Sequence, residues 1–129
     1  MKKNVNLSLK PVGFWREHCG DIFPSIFDAK IKKLEICEIE KIEGYLVKCP
    51  ICVASPGIVY SAFDEDKIAG ISSIKTDGSW VWPDTLQYYV REHGIALPLE
   101  FLEHIRYRHY IPLEEHEVNV EELIFPLVA

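Results

Sequence analysis

Apolar positions between residues 34 and 48 recur at three- to four-residue steps, with acidic and basic side chains on the other face. This spacing predicts an amphipathic helix from Leu34 to Lys48, although Gly44 within it costs about 1 kcal/mol relative to alanine. The apolar positions are Ile36, Ile39, Ile42, Leu46 and Val47. Residues 4–10 instead alternate polar and apolar side chains, which predicts a half-buried strand.

Strand signals dominate the middle of the chain. Residues 51–54 are short and apolar between Pro50 and Ser55, which predicts a buried strand in the centre of a sheet. Residues 59–64 predict a short helical turn, and residues 67–75 a strand that reverses at Asp77-Gly78. Such a dipeptide is typical of a type I′ turn, in which both central residues have positive φ.

The chain then changes from strand to helix near Pro83, because proline suits a helical first turn and cannot donate to a sheet. A helix to about His93, closed by Gly94, follows from the spacing of its apolar residues. A second helix is predicted from Pro98 until Pro112, and residues 118–128 predict an edge strand or an extended tail. The order predicts one α+β domain over residues 1–129, with a small, mostly antiparallel sheet and about three helices packed on it.

Composition narrows the class of protein. The 129 residues are 48% hydrophobic, which predicts a compact core rather than disorder, and no apolar run approaches the roughly 20 residues of a membrane span. The first ten residues lack the apolar segment of a signal peptide, so a cytoplasmic location without membrane contact is expected. Thiols in that compartment stay reduced.

The four cysteines include one suggestive spacing, Cys49-Pro50-Ile51-Cys52. A structural zinc site needs further ligands, which His18, Cys19 or Cys37 would have to supply from distant positions. We therefore expect no metal ligands and no cofactor, and interpret the cysteines as small apolar residues. A zinc- or thiol-dependent enzyme or regulator using Cys49 and Cys52 remains the alternative hypothesis.

Two further clusters have structural interpretations. Trp80, Trp82, Tyr88 and Tyr89 are predicted to form the seam between the hairpin and the following helix. Basic and imidazole side chains near the end of the last helix complement its dipole; these are His104, Arg106, Arg108 and His109. No arrangement of residues establishes a reaction, so no catalytic residue is assigned.

Charge carries the functional hypothesis. The formal net charge is −6, and residues 111–129 contain five glutamates without lysine or arginine. Such a field opposes nucleic-acid binding and favours a basic protein partner, although a solvated surface that aids solubility explains it equally well. The predicted partner-binding residues are Glu114, Glu115, Glu117, Glu121 and Glu122, followed by Asp64, Glu65 and Asp66.

A set of short motifs resembles a family of small bacterial proteins with the signature TDG-x-W-x-WP…L-x-YYV…LP-x-EF-x-x-H. The matching segments are residues 76–83, 86–90 and 97–104, with further similarity at 45–46, 54–57 and 64. Some such acidic proteins look like immunity proteins of polymorphic or contact-dependent toxin systems. The resemblance implies a non-enzymatic protein, a monomer or weak dimer, that binds and neutralises a cognate toxin domain, a nuclease, by occluding its active site.

Overall fold

Residues 74–83 form a hairpin of two short strands at the centre of the fold, and other elements cover both of its faces. The computed structural model describes residues 9–118. Its strands are β1 (Lys10–Pro11), β2 (Ile51–Val53), β3 (Ile58–Tyr60), β4 (Ile68–Ile71), β5 (Ile74–Thr76) and β6 (Trp80–Pro83). Its helices are α1 (Arg16–Cys19), α2 (Ile36–Lys48), α3 (Leu86–His93) and α4 (Leu99–Tyr107), with 3₁₀ turns at Ile26–Asp28 and Glu115–Glu117.

The strands form two sheets. The larger has the order β1-β6-β5-β2, in which only the β1–β6 pair is parallel, and the smaller is the antiparallel pair β3-β4. This arrangement confirms the predicted α+β class with a mostly antiparallel sheet. Of the four helices in the described range, α1 is a single turn, so three longer helices pack around the strands.

Alternation along β6 places its side chains in two separate cores. Trp80 and Trp82 pack against Phe101 of α4, with ring centroids 4.9 and 5.3 Å apart, respectively. Val81 points to the opposite face, where it joins Leu9. Trp82, Tyr88 and Tyr89 are also buried, which confirms that these aromatic residues belong to the core. The single seam predicted between hairpin and helix was wrong, because Tyr88 and Tyr89 pack in a second cluster with Ala69 of β4.

Helix α2 is confirmed, but its buried face is rotated from the predicted one. Ile42, Tyr45 and Leu46 are buried, whereas Ile36 and Val47 are exposed. Tyr45 was not among the predicted apolar positions. Its hydroxyl finds a buried acceptor, which allows the ring to fill the core.

Strand β2 lies at the edge of its sheet, so its predicted central position was wrong. It pairs only with β5, and Ile51 and Val53 remain exposed. The predicted helical turn at 59–64 was also wrong, because residues 58–60 form β3 and bond to β4. A short apolar run alone does not distinguish these environments.

The predicted strand 67–75 is divided into two strands that belong to different sheets. Ser73 lies at the break, where its buried hydroxyl donates to the carbonyl of Ser55 and accepts from the N–H of the same residue. These bonds satisfy backbone groups where the two ladders separate. The chain can therefore leave β3 and join β6 within three residues.

The hairpin turn occurs as predicted between β5 and β6, but its conformation differs from type I′. Only Gly78 has positive φ, at +90°, because the central residues are Gly78 and Ser79 rather than Asp77 and Gly78. Helix α3 ends at Gly94 in the left-handed conformation, as predicted. Of the predicted strand 4–10, residues 4–8 lie outside the described range, as do residues 119–128 of the predicted tail.

Candidate functional site

The acidic segment after α4 forms an exposed turn. Glu114, Glu115 and Glu117 are exposed, and the Glu114 N–H donates to the Glu117 carboxylate at 2.9 Å. Reciprocal hydrogen bonds between residues 114 and 117 form a capping box, which fixes this single 3₁₀ turn. The structure thus groups three of the predicted partner-binding residues, while Glu121 and Glu122 lie outside the described residues.

One possible arrangement of metal ligands occurs in this turn. Side-chain ligand atoms of Glu114, His116 and Glu117 lie within 4.8 Å of one another, and all three residues are exposed. His116 Nδ1 is 3.8 Å from a Glu114 carboxylate oxygen. Exposed acidic groups at a capped turn have this geometry without any ion, so the capping bonds account for the cluster.

The second predicted acidic group lies in the loop between β3 and β4. Asp64 accepts a hydrogen bond from the Asp66 N–H at 3.0 Å, and its carbonyl accepts from the Lys67 N–H. Glu65 and Asp66 are exposed, and Asp64 is half-buried. Local bonds therefore hold the negative charges in a defined loop conformation.

A buried carboxylate, Asp77, lies at the start of the turn between β5 and β6. Its Oδ1 accepts from the Ser79 and Trp80 N–H groups, and its Oδ2 accepts from the Tyr45 hydroxyl at 2.6 Å. Burial and the adjacent carboxylate both raise the pKa of Tyr45, which keeps the phenol protonated as a donor. Asp77 thus fixes the hairpin turn and attaches it to α2.

His104 also approaches this carboxylate. Its Nε2 lies 3.1 Å from Asp77 Oδ2 but lacks the angle required for a hydrogen bond. We interpret the contact as electrostatic when the imidazole is protonated. A Tyr-Asp-His group of this kind resembles catalytic constellations in composition, but the Tyr45 phenol is buried and stays protonated, and Asp77 already accepts hydrogen bonds from three donors.

A second buried carboxylate anchors the start of α3. Asp84 lies 3.1 Å from the Lys75 ammonium group and accepts from the Ile71 N–H, while Lys75 donates to the Val47 carbonyl. Both charged residues are buried. These contacts supply the partners that buried charges require, so the pair is structural.

The basic end of α4 is tied to α2 by a carboxylate. Arg106 donates two hydrogen bonds to Glu38, and the Tyr110 hydroxyl donates a third at 2.6 Å. Hydrogen bonds from Arg106 and Tyr110 lower the pKa of Glu38 to about 2. The sequence suggested only a helix-dipole role for this region, because the partner lies 68 residues away.

The cysteine environments differ from those of reactive thiols. Burial raises the pKa of Cys49 to about 12 and that of Cys52 to about 11, so both remain protonated at neutral pH. Cys52 donates weakly to the Ile74 carbonyl, and Cys19 and Cys37 are exposed. A catalytic thiolate requires the opposite shift in pKa.

An open apolar groove of about 460 Å³ lies between residues 11–15 and the start of α4. Its walls include Val12, Phe14, Trp15, Leu86 and Leu97. Lys30 is the only ionisable side chain among the lining residues. The groove therefore lacks the converging acid and base groups expected of an active site.

An exposed apolar surface, which was not predicted from the sequence, lies on the smaller sheet. Ile58, Tyr60, Ile68 and Ile71 are all exposed there, and we call these four residues the hairpin face. The alternation of Ile58 and Tyr60 around Val59 was the available sequence signal. It was interpreted as a helical turn, which concealed the surface.

Comparison with family models, with curated proteins and with solved structures gives no match for this chain. Within residues 9–118, no helix is long and apolar enough to cross a membrane.

Proposed function

We propose that this chain is a cytoplasmic immunity protein, a non-enzymatic inhibitor that binds a cognate bacterial toxin domain and occludes its active site. The toxin domain would be basic, as expected of a nuclease that binds phosphate groups. The observation that carries this proposal is the capped turn of Glu114, Glu115 and Glu117, whose side chains are exposed on the surface of the domain.

The roles of the acidic residues support this assignment. Asp77 and Asp84 are buried and hydrogen-bonded within the domain, whereas the glutamates of the 3₁₀ turn are exposed. Exposed carboxylates can replace the phosphates that a cationic cleft normally binds. They also accelerate encounter with a basic partner and disfavour nucleic acid.

The enzymatic alternative receives less support. The raised pKa values of Cys49 and Cys52 disfavour the thiolate that nucleophilic catalysis requires, and neither cysteine belongs to a group of three or more candidate metal ligands among residues 9–118. Stoichiometric zinc in protein purified without chelators, together with folding that depends on it, would favour this alternative.

The test is coexpression with the C-terminal domain encoded by the gene immediately upstream. We expect this chain to restore growth to cells producing that domain, and the purified proteins to form a stable complex. An unrelated basic nuclease domain is the matched control, because a specific inhibitor should leave it active. Unrelieved toxicity, without a complex between the purified proteins, would contradict the proposal.

A further inference from the structure

We infer that the hairpin face, together with the acidic loop of Asp64, Glu65 and Asp66, is the surface that docks the toxin domain. This inference rests on the proposed function and assigns it a binding surface. It joins residues predicted from charge to apolar residues that the sequence analysis did not select.

A β-bulge aligns the four apolar residues. Tyr60 pairs with Ile68 and Val59 pairs with Gly70, so Ala69 is the extra residue in β4. Ile68 and Ile71 are three positions apart and would point to opposite faces of a regular strand. The extra residue places both opposite the strand partners Tyr60 and Ile58, on one face.

The hairpin face is exposed over its whole length. Ile58, Tyr60 and Ile68 retain 56%, 53% and 55% of their accessible surface, and Ile71 retains 38%. Isolated exposed apolar residues are common, but four that pair across two strands form a continuous patch. Such a patch is typical of a protein interface.

The opposite face of the β3–β4 pair packs against the rest of the domain. Ala69 is buried with Tyr88 and Tyr89, and the Ile71 N–H donates to Asp84. A methyl group on Gly70 would lie 2.7 Å from an Asp84 carboxylate oxygen, which shows how closely β4 packs there. The exposed face is therefore presented by a fixed support, which reduces the entropy lost on binding.

Negative charge lies directly beside this patch. Asp64, Glu65 and Asp66 connect the two strands, and Lys67 is the only basic residue between positions 58 and 71. The loop is anchored by the Ala62 N–H, which donates to the Tyr89 hydroxyl at 3.0 Å. An apolar surface bordered by fixed carboxylates suits a protein that presents apolar side chains beside lysines or arginines.

Charge also distinguishes the candidate occupants. In a symmetric pair of this chain, the acidic loop would face the same surface of the other copy, where Lys67 is the only basic residue between positions 58 and 71. Nucleic acid would be repelled by the carboxylates and would leave the aliphatic side chains without partners. A basic toxin domain satisfies both parts of the surface.

The test measures binding of the upstream-encoded toxin domain, made catalytically inactive, to the full chain. The double variant Ile58→Thr/Ile68→Thr retains β-branched residues while removing apolar contact. We expect its Kd to rise at least about tenfold, because apolar contacts at the centre of an interface carry much of its affinity. Ile36→Thr is the matched control, since Ile36 is 77% exposed on α2, and we expect it to bind as wild type does.

The acidic loop is tested separately with Glu65→Gln/Asp66→Asn. We expect slower association and little change in melting temperature, because these side chains are exposed. Hydrogen exchange on the wild-type complex provides a measurement that does not depend on variant folding. Amides of residues 58–71 should become protected when the toxin domain binds.

Four results would overturn the inference. Unchanged affinity of the folded hairpin variant, or unchanged exchange at residues 58–71 in a stable complex, would remove this surface while leaving the proposed function intact. A wild-type dimer that Ile58→Thr/Ile68→Thr converts to monomer would assign the surface to self-association. A wild-type chain that does not bind the toxin domain would refute the proposed function and, with it, this inference.

Discussion

At the scale of single residues, Asp77 illustrates how one carboxylate can determine a local structure. It accepts hydrogen bonds from Tyr45, Ser79 and Trp80, and therefore joins the hairpin turn to α2. The sequence identified this position as part of a turn but assigned it to the wrong place within that turn. Turn preferences concern neighbouring residues only. They could not predict that Asp77 accepts a hydrogen bond from a tyrosine 32 residues away.

Replacing this carboxylate should destabilise the fold. We expect Asp77→Ala to lower the free energy of unfolding by about 2–4 kcal/mol, because several donors lose their acceptor. Urea denaturation measures the change. Asp66→Ala, at an exposed position, is the control and should change stability by less than about 0.5 kcal/mol. Equal stability of the two variants would show that the turn forms without the Asp77 carboxylate.

The pH dependence of stability should report Glu38. Its pKa falls from an ordinary value of 4.5 to about 2 in the folded protein, so its stabilising effect is complete above pH 4.5. This stabilisation should be lost as pH falls from 4.5 towards 2, when the folded protein also takes up the proton. Comparing urea midpoints of wild type and Glu38→Gln across this range measures the effect, which a constant difference between them would contradict.

At the scale of elements, replacing two glycines with alanine should have opposite effects on stability. Gly44 lies within α2 with open space around its Cα, whereas Gly70 packs against the Asp84 side chain and the backbone that follows it. Gly44→Ala should therefore stabilise the protein by about 0.5–1 kcal/mol, through helix propensity. Gly70→Ala should lower the melting temperature, because Asp84 is held by Lys75 and cannot move away freely. A gain in stability from Gly70→Ala would show that β4 can shift.

The elements that could be predicted are those whose signals are local. Helix α3 combines an apolar period with a glycine stop, and the hairpin before it has a two-residue turn signal. Strand β3 could not be identified in this way, because its three residues gain their conformation from pairing with β4. The edge position of β2 likewise depends on which other strands pair with it. A short window of sequence does not contain that information.

The candidate site shows the same division between local and long-range information. Glutamates 114, 115 and 117 could be selected from composition alone, since exposed acidic residues near one another need no tertiary partner. The hairpin face could not, because the bulge at Ala69 decides which side chains share a surface. Likewise, the carboxylates of Asp77 and Asp84 differ from the exposed acids only through burial.

At the scale of the whole molecule, we expect the exposed acidic residues to affect binding more than stability. Replacing Glu114, Glu115, Glu117, Glu121 and Glu122 with glutamine should leave the melting temperature nearly unchanged. Glu114, Glu115 and Glu117 are exposed, and exposed charges contribute little to folding. Association with the toxin domain should slow, since the long-range attraction is lost.

For wild type, the association rate should also fall as the Debye length shortens from about 30 Å at 0.01 M salt to about 8 Å at 0.15 M. Stopped-flow measurements on both proteins over this range test the prediction, and the glutamine variant should show the weaker salt dependence. If neither salt nor substitution changed the rate, these glutamates would serve only as a solvated surface, and the hairpin face would have to supply recognition without them.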